Sequence, residues 1–430
     1  MSDYFHSVLL DASKCTGCTT CMKHCPTEAI RVRNGCATID SGRCIDCGEC
    51  IRHCTNHAKK SSYDSFTRIQ EYKYKIALPA PSLFAQFENL DDIDYVLQGL
   101  IDIGFDDVFE VSQAAELVSA YTRIYLKTEG IKKPVISTAC PAVTRLILMR
   151  FPFLKDNLMP LLPPIEIAAD LAKKTAMKEH PELKEEDIGT CFISPCPAKV
   201  SYVRNDFGEY KSKVDLVVSM SEVYFLLINA MKREKAPDFS TRAGRMGLSW
   251  ALCGGEASAL AEDKIIAADG INNVISVLDQ IEDGNIPPVD FVELNACPGG
   301  CVGGVLTIEN PYVAKNRLHT LRRYMPVSLN PVSSDAFIPG SFFFSGLPSY
   351  QPLNRLSSNI GESMRLMSQI QLIKKELPGI DCGSCGAPTC RAFAEDIVMG
   401  HAEQNDCIIA YKDFIKDYIA HYGEKNDESQ

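Results

Sequence analysis

Two cysteine runs near the start of the chain constrain its fold more than any other feature. Residues 15–25 read CTGCTTCMKHC and residues 44–54 read CIDCGECIRHC, so both follow the pattern CxxCxxCxxxC. Three thiolates at this spacing can converge from one tight loop on three corners of an iron–sulfur cube, and the fourth points toward the other cube. A pair of zinc knuckles is the alternative, but the doubled run with its trailing Pro26 favours iron and sulfur.

The spacing therefore assigns eight cysteines to two cubes that exchange their fourth ligands. The first set is Cys15, Cys18, Cys21 and Cys54, and the second set is Cys44, Cys47, Cys50 and Cys25. This head, residues 1–62, resembles the bacterial two-cluster ferredoxin. The resemblance implies a small α+β domain that carries electrons.

Between residues 63 and 350 the pattern changes to short apolar runs that alternate with amphipathic helical stretches. The runs are KYKIALPAPS, DDVFEVS, KPVISTACP, IGTCFISPCP, KVDLVVS and VDFVELNACP, and the helical stretches lie around 113–128, 164–179 and 271–282. This alternation predicts an α/β body of parallel sheets flanked by helices. Ligand sites in such folds collect at the carboxyl ends of the strands.

Three of these strand ends carry cysteine. Residues 137–142 read STACPA, residues 193–199 read ISPCPAK, and residues 295–304 read NACPGGCVGG. The glycines of the third loop allow its backbone to approach a metal site closely. Four cysteines could therefore bind a third cube: Cys140, Cys196, Cys297 and Cys301.

The three loops resemble the signature loops of the FeFe-hydrogenase catalytic domain. In that family they hold a 4Fe–4S cube, which one cysteine bridges to a diiron unit bearing CO, cyanide and a dithiolate. The resemblance implies that Cys301 is the bridging thiolate and that Lys199 donates a hydrogen bond to an iron-bound cyanide. It also implies further residues of the pocket: Ala80, Pro81, Ser82, Pro195 and Trp250.

The chain departs from the family pattern around this pocket. Ala139 stands where active members have a proton-donating cysteine, and an alanine methyl group cannot ionise. Ser194 and Asn295 replace methionines, which predicts a more polar pocket. The family's glutamates before the first loop are also missing, and a water chain or Glu116 could replace that relay.

A third part follows residues 324–352, which are rich in Pro, Ser and Gly and read as a linker. The predicted module spans 351–410, includes a helical stretch at about 357–376, and precedes a tail at 411–430. Its cysteines, Cys382, Cys385, Cys390 and Cys407, resemble those of a small 4Fe–4S module of electron-transfer complexes, with zinc as the alternative. The order of the cubes suggests one electron wire through the head and another through this module. Cys36, Cys191 and Cys253 remain as packed thiols.

Composition limits the partners. The formal charge of −11 and a pI of 5.3 argue against nucleic acid or an anionic membrane. No uncharged apolar run reaches the ~18 residues of a membrane span. The first residues, MSDYFHSVLLDASKC, do not resemble a secretory signal, so we expect a soluble cytoplasmic protein.

The resemblance implies reversible reaction with hydrogen, 2 H⁺ + 2 e⁻ ⇌ H₂, with electrons relayed through 4Fe–4S cubes to a ferredoxin-like or other redox protein. Ala139, Ser194 and Asn295 favour a slow sensor with a signalling partner, as in the sensory FeFe-hydrogenases. The alternative is an electron-transfer or assembly scaffold without the diiron unit. Lys199, Pro195 and Ser82 argue against the scaffold, because a bare cube has no cyanide to hold.

Overall fold

The computed structural model describes residues 4–205, 210–232, 236–346, 356–357, 359–412 and 415–416. Most of the predicted tail, the end of the predicted linker and the boundary at residue 351 lie outside these ranges. None of the helices in the described ranges is long and apolar enough to span a membrane.

The head consists of two short hairpin-like sheets and two one-turn helices. Its elements are β1 (Val8–Leu10), α1 (Thr20–Lys23), β2 (Ile30–Arg33), β3 (Cys36–Ile39), α2 (Glu49–Arg52) and β4 (Lys59–Ser61). Strand β1 pairs with β4 and β2 pairs with β3, both antiparallel. Each cysteine run forms a loop that leads into one of the helices and then into a strand, so the head is built as two similar halves.

The body has the predicted parallel sheets with helices around them. Its strands are β5 (Tyr74–Pro79), β6 (Asp107–Val108), β7 (Val135–Ile136), β8 (Ile188–Ser194), β9 (Leu216–Ser219), β10 (Ile265–Asp269) and β11 (Phe291–Asn295). One sheet has the order β6-β5-β8-β9 and the other has the order β10-β11-β7. Pairing is parallel throughout both sheets. The predicted fold class is confirmed.

Helices surround these sheets, and three of them match the helical stretches expected from sequence. The helices are α3 (Asp94–Asp102), α4 (Val111–Leu126), α5 (Pro141–Arg150), α6 (Pro164–Glu179), α7 (Pro197–Arg204), α8 (Met220–Ala230), α9 (Arg245–Ser249), α10 (Gly255–Leu260), α11 (Ile271–Glu282) and α12 (Pro311–Leu321). Every residue of β8 is buried, and its sequence, IGTCFIS, contains no charged residue.

The last part contains α13 (Ile360–Glu376) and α14 (Cys390–Val398), which pack against each other. It is held on the head. Arg31 and Arg33 of the head bind the Asp396 carboxylate at 2.7 and 2.6 Å, and the Val32 amide donates to the Gly386 carbonyl at 2.9 Å. The last module therefore lies on the head. The expectation that it provides a separate electron path on another side of the site is wrong.

Candidate functional site

The four body cysteines lie at the carboxyl ends of strands from both sheets. Cys140 and Cys196 directly precede α5 and α7, and each is followed by a proline suited to the first helical position. Burial, followed by the nearby Cys196 and Cys140 thiols, raises the pKa of the Cys297 thiol. Burial likewise raises the pKa of Cys301 to about 12. A half-buried group of four soft thiols at one place suits an iron–sulfur cube, whose iron atoms bind thiolates.

Glycines allow the third loop to fit against the other loops. Gly300 has φ +93°, and a Cβ there would lie 2.5 Å from the Cys253 amide nitrogen. A Cβ on Gly304 would lie 2.2 Å from the Pro195 carbonyl oxygen, which belongs to the second loop. Both positions therefore require glycine for the observed contact of loops.

A cavity of ≈ 610 Å³ lies beside Cys301. The structure brings the predicted pocket residues together around it: Ala80, Pro81, Ser82, Ala139, Pro195, Lys199, Trp250 and Asn295. These residues come from five separate segments of the chain. Ser194 is the exception, since its hydroxyl bonds to Cys196 within its own loop and Ser194 does not line the cavity. The predicted polar contribution of Ser194 to the pocket is wrong.

Two predicted pocket donors reach this cavity. Lys199 Nζ donates to the Ala139 carbonyl oxygen at 2.6 Å, so it crosses from the second loop to the first. The fully buried Ser82 hydroxyl has the Met220 sulfur at 4.0 Å, which is a weak partner. The Lys199 ammonium group has further N–H donors and Ser82 has only this weak partner, so both can donate to an acceptor in the cavity.

Sequence reasoning missed two acids that line the same cavity. Glu256 accepts a hydrogen bond from Ser137 Oγ at 2.6 Å, and Glu293 accepts from Asn295 Nδ2 and the Gly254 amide at 2.8 and 2.9 Å. Burial, and next the neighbouring Glu293 carboxylate, raise the pKa of Glu256, and burial raises the pKa of Glu293. Two buried carboxyl groups side by side hold a proton more easily than either alone. An acid within the apolar strand sequence VDFVELNACP was the signal available.

Glu116 does not take the predicted place of the relay. Its carboxylate accepts from the amides of Gly244, Leu329 and Asn330 at 2.7, 3.0 and 3.0 Å, and from Ser328 Oγ at 2.9 Å. It therefore holds a loop onto α4 and does not line the cavity. The suggestion that Glu116 carries protons is wrong for this structural reason.

The head presents two further cavities, each surrounded by four cysteines. One, of ≈ 350 Å³, is lined by Cys15, Cys18, Cys21 and Cys54. The other, of ≈ 340 Å³, is lined by Cys25, Cys44, Cys47 and Cys50. In each cavity, the fourth cysteine comes from the other run, as the spacing predicts. We call these spaces the first and second head cavities.

The second head cavity lies against the body. Cys47 packs in the same apolar cluster as Cys140 and Cys196. Arg52, on the helix after this loop, donates to the Gly303 carbonyl at 2.8 Å. Cys18 of the first head cavity is exposed. The second head cavity therefore lies next to the body, and the first is the one that includes an exposed cysteine.

The cysteines of the last module also gather, as the spacing predicts. Cys385, Cys390 and Cys407 belong to one apolar cluster, and the charge of Cys382 acts on Cys385. Of the three leftover cysteines, Cys191 is buried, whereas Cys36 and Cys253 are only partly buried.

A head with two four-cysteine cavities joined to an α/β body with a third such site defines an iron–sulfur oxidoreductase. The family described as iron only hydrogenase large subunit, C-terminal domain, matches residues 73–262 and 255–305, more than half of the chain. The chain belongs to this family. A 4Fe-4S dicluster domain matches residues 7–55, and an Fe-S cluster family matches residues 377–409.

The chain is also similar to proteins with known names. The periplasmic Fe hydrogenase large subunit of Nitratidesulfovibrio vulgaris is 24% identical over 367 residues, which cover 70% of this chain and 86% of the relative. A structure of an FeFe-hydrogenase caught in stepwise H-cluster assembly is 17% identical, covers 61% of this chain and 86% of its own, and has a TM-score of 0.46. A variant FeFe-hydrogenase from Chlamydomonas reinhardtii is 16% identical, with 58% and 84% covered and a TM-score of 0.46.

Proposed function

We propose that this chain reacts reversibly with hydrogen, 2 H⁺ + 2 e⁻ ⇌ H₂, and that it does so slowly, as a sensor of hydrogen or of redox state. The observation that carries the proposal is the cavity beside Cys301, which is lined by the Lys199 ammonium group and the buried Ser82 hydroxyl. A cube alone needs neither donor nor cavity. When bound, the diiron unit would supply the metal centre and the basic amine at which hydrogen is formed or split.

The residues divide into two sets in this proposal. Cys140, Cys196, Cys297 and Cys301 would hold the cube, and Cys301 would also hold the diiron unit. Lys199 would donate a charge-assisted hydrogen bond and Ser82 a neutral one to the cyanide ligands. Ala80, Pro81 and Pro195 enclose the cavity without offering a competing side-chain donor.

Two buried acids store protons at the cavity wall, but no side-chain donor stands where the family has its cysteine, so delivery of the last proton is slow. The Ala139 side chain cannot donate a proton. Its backbone amide donates a hydrogen bond to Ser137 Oγ at 3.2 Å, and the Ser137 hydroxyl donates to the Glu256 carboxyl group. Glu256 and Glu293 hold protons at a higher pH than ordinary carboxyl groups because they are buried together. We therefore assign proton storage to these carboxyl oxygens, at the wall of the cavity.

Electrons leave through the head. The second head cavity contacts the body and the exposed Cys18 marks the outer end, so a ferredoxin-like or other redox protein would exchange electrons there. The last module sits on the same head and would report its redox state to a signalling partner. The cytoplasmic location stays a prediction of the sequence.

Replacing Ala139 with cysteine tests the proposal that the native chain is slow. The new thiol would restore a donor in the cavity wall, and a positioned donor contributes about 10²–10⁴-fold to proton transfer. We expect Ala139→Cys to evolve hydrogen faster than the native chain, but by less than this factor, because the family's upstream glutamates are absent. The measurement is hydrogen evolution from a reduced mediator at matched diiron content.

Ala139→Ser is the matched control, since a serine hydroxyl has nearly the same shape and does not ionise near neutral pH. It should leave turnover close to native. A native chain that is already as fast as Ala139→Cys would show that another relay is sufficient, and the sensory role would lose its physical basis.

A further inference from the structure

The two halves of the head are related residue by residue, and the relation makes their differences informative. Cys25 and Cys54 each accept a hydrogen bond from the amide four residues later, at 3.3 and 3.2 Å. Five residues after each cysteine a strand begins, with Ile30 in one half and Lys59 in the other. Ile30 and Lys59 are 2% and 3% exposed, so they occupy equivalent buried positions.

This equivalence places a cation where the other half has a hydrocarbon. Ile30 lines the second head cavity and Lys59 lines the first. Lys59 Nζ has no hydrogen-bond partner among the described residues. Burying an unpaired ammonium group is unfavourable, so an anion is required beside it. Burial raises the pKa of the Cys21 thiol, and the charge of Lys59 is the first to oppose that rise.

A second pair of equivalent positions differs in the opposite sense. Gly17 and Asp46 stand at the third position of their runs, with φ of +67° and +52°. Asp46 lines the second head cavity and is 1% exposed. One of its oxygens accepts the amides of Ser7 and Val8 at 2.9 and 3.2 Å, while the other has no partner among the described residues. The first head cavity therefore has a buried positive charge, and the second has a buried carboxylate whose charge the nearby Arg145 guanidinium partly offsets.

We propose that Lys59 and Asp46 set the cube of the first head cavity at a higher reduction potential than the cube of the second. Reduction adds one electron to a cube that already carries negative charge, with no bond or proton changed. A nearby ammonium group favours the reduced form and a nearby carboxylate disfavours it. The proposal rests on the cubes of the proposed function, but not on the diiron unit.

The consequence is a direction for electron flow. The second head cavity abuts the body and the first contains the exposed Cys18. Electrons released at the body would therefore move outward to the first cube and remain there, where a partner or the last module could detect them. This bias suits a protein that oxidises hydrogen and reports the result.

The test is a redox titration of the full chain, reconstituted with iron and sulfide but without the diiron unit, and followed by electron paramagnetic resonance. Dithionite and mediators supply the electrons. We expect Lys59→Met to lower one midpoint by at least 59 mV, a tenfold change in the ratio of reduced to oxidised cube. Asp46→Asn should raise a different midpoint. The charge of Lys59 also acts on Cys50, so a smaller shift of the second cube accompanies the first.

Two controls separate charge from packing. Ile30→Met, at the equivalent position of the other half, should move no midpoint, and Lys59→Arg should retain the native value. Unchanged midpoints in Lys59→Met with full iron content would overturn the proposal. If Lys59→Met loses iron, the midpoints of Lys59→Gln and Lys59→Arg are compared instead. Equal midpoints in these two variants would overturn the proposal, and so would loss of the cube from Lys59→Arg. Since the diiron unit takes no part, none of these outcomes bears on the reaction with hydrogen.

Discussion

Lys199→Ala is expected to lose the diiron unit while keeping its iron–sulfur cubes. Lys199 is the cationic donor at the cavity wall, and hydrogen bonds to charged groups contribute about 1.5–3 kcal/mol. Its removal should therefore weaken retention of the diiron unit by about 10–150-fold. The four thiols that hold the cube are untouched by the substitution.

Infrared spectra before and after gel filtration measure this retention. Lys173→Ala is the matched control, because Lys173 is likewise a lysine withdrawn from solvent, but it is paired with Asp215 at 2.9 Å and does not line the cavity. It should lose stability and keep its bands. Normal CO and cyanide bands in Lys199→Ala after filtration would show that the cyanide pocket is misplaced.

Glu256→Gln is expected to slow hydrogen evolution by about 10²–10⁴-fold, the usual contribution of a positioned proton donor. Glutamine keeps the shape and can still accept from Ser137, but it cannot transfer a proton. In the native chain, evolution should fall as pH rises and the Glu256–Glu293 pair loses its proton. This fall should lie above the pH range of ordinary carboxyl groups, because burial raises the pKa of both acids. Glu256→Gln should not show this fall in hydrogen evolution with rising pH.

Glu110 provides a control for this experiment. It too is a buried acid, and burial raises its pKa to about 7, but it binds the Thr241 hydroxyl and the Arg242 amide outside the cavity. Glu110→Gln should leave hydrogen evolution near native. A Glu256→Gln chain with native rates and a native pH profile would remove both acids from the proton path.

Much of the fold was predictable because most of its strands are short apolar runs that can be recognised in the local sequence. The six apolar runs became β5, β6, β7, β8, β9 and β11, and the stretches at 164–179 and 271–282 became α6 and α11. Strand β10 was not predicted: its apolar run, IIAA, is only four residues long between Lys264 and Asp269, and its residues are only partly buried or exposed. The contact between the last module and the head was not predicted either. It depends on ion pairs such as Arg31–Asp396, whose residues are 365 positions apart in sequence.

Some residues of the candidate site could likewise be predicted from local sequence, and others could not. Cysteine–proline turns after strands are local features, so the loops of Cys140 and Cys196 could be found from sequence. Glu256 and Glu293 act as a pair only because α10 and β11 place them at one cavity, and no local spacing relates them. Glu116 and Ser194 show the converse. Both were chosen by sequence position, but Glu116 accepts from the Gly244 amide and Ser194 donates to the Cys196 carbonyl, and neither lines the cavity.

Infrared spectroscopy of the anaerobically matured native chain tests the central claim most directly. A diiron unit beside Cys301 would give bands in the CO and cyanide stretching region, and these should shift when hydrogen replaces argon. That result is the one we expect. A chain that carries its full set of cubes but shows no such bands would contradict the proposed reaction and leave an iron–sulfur scaffold in its place.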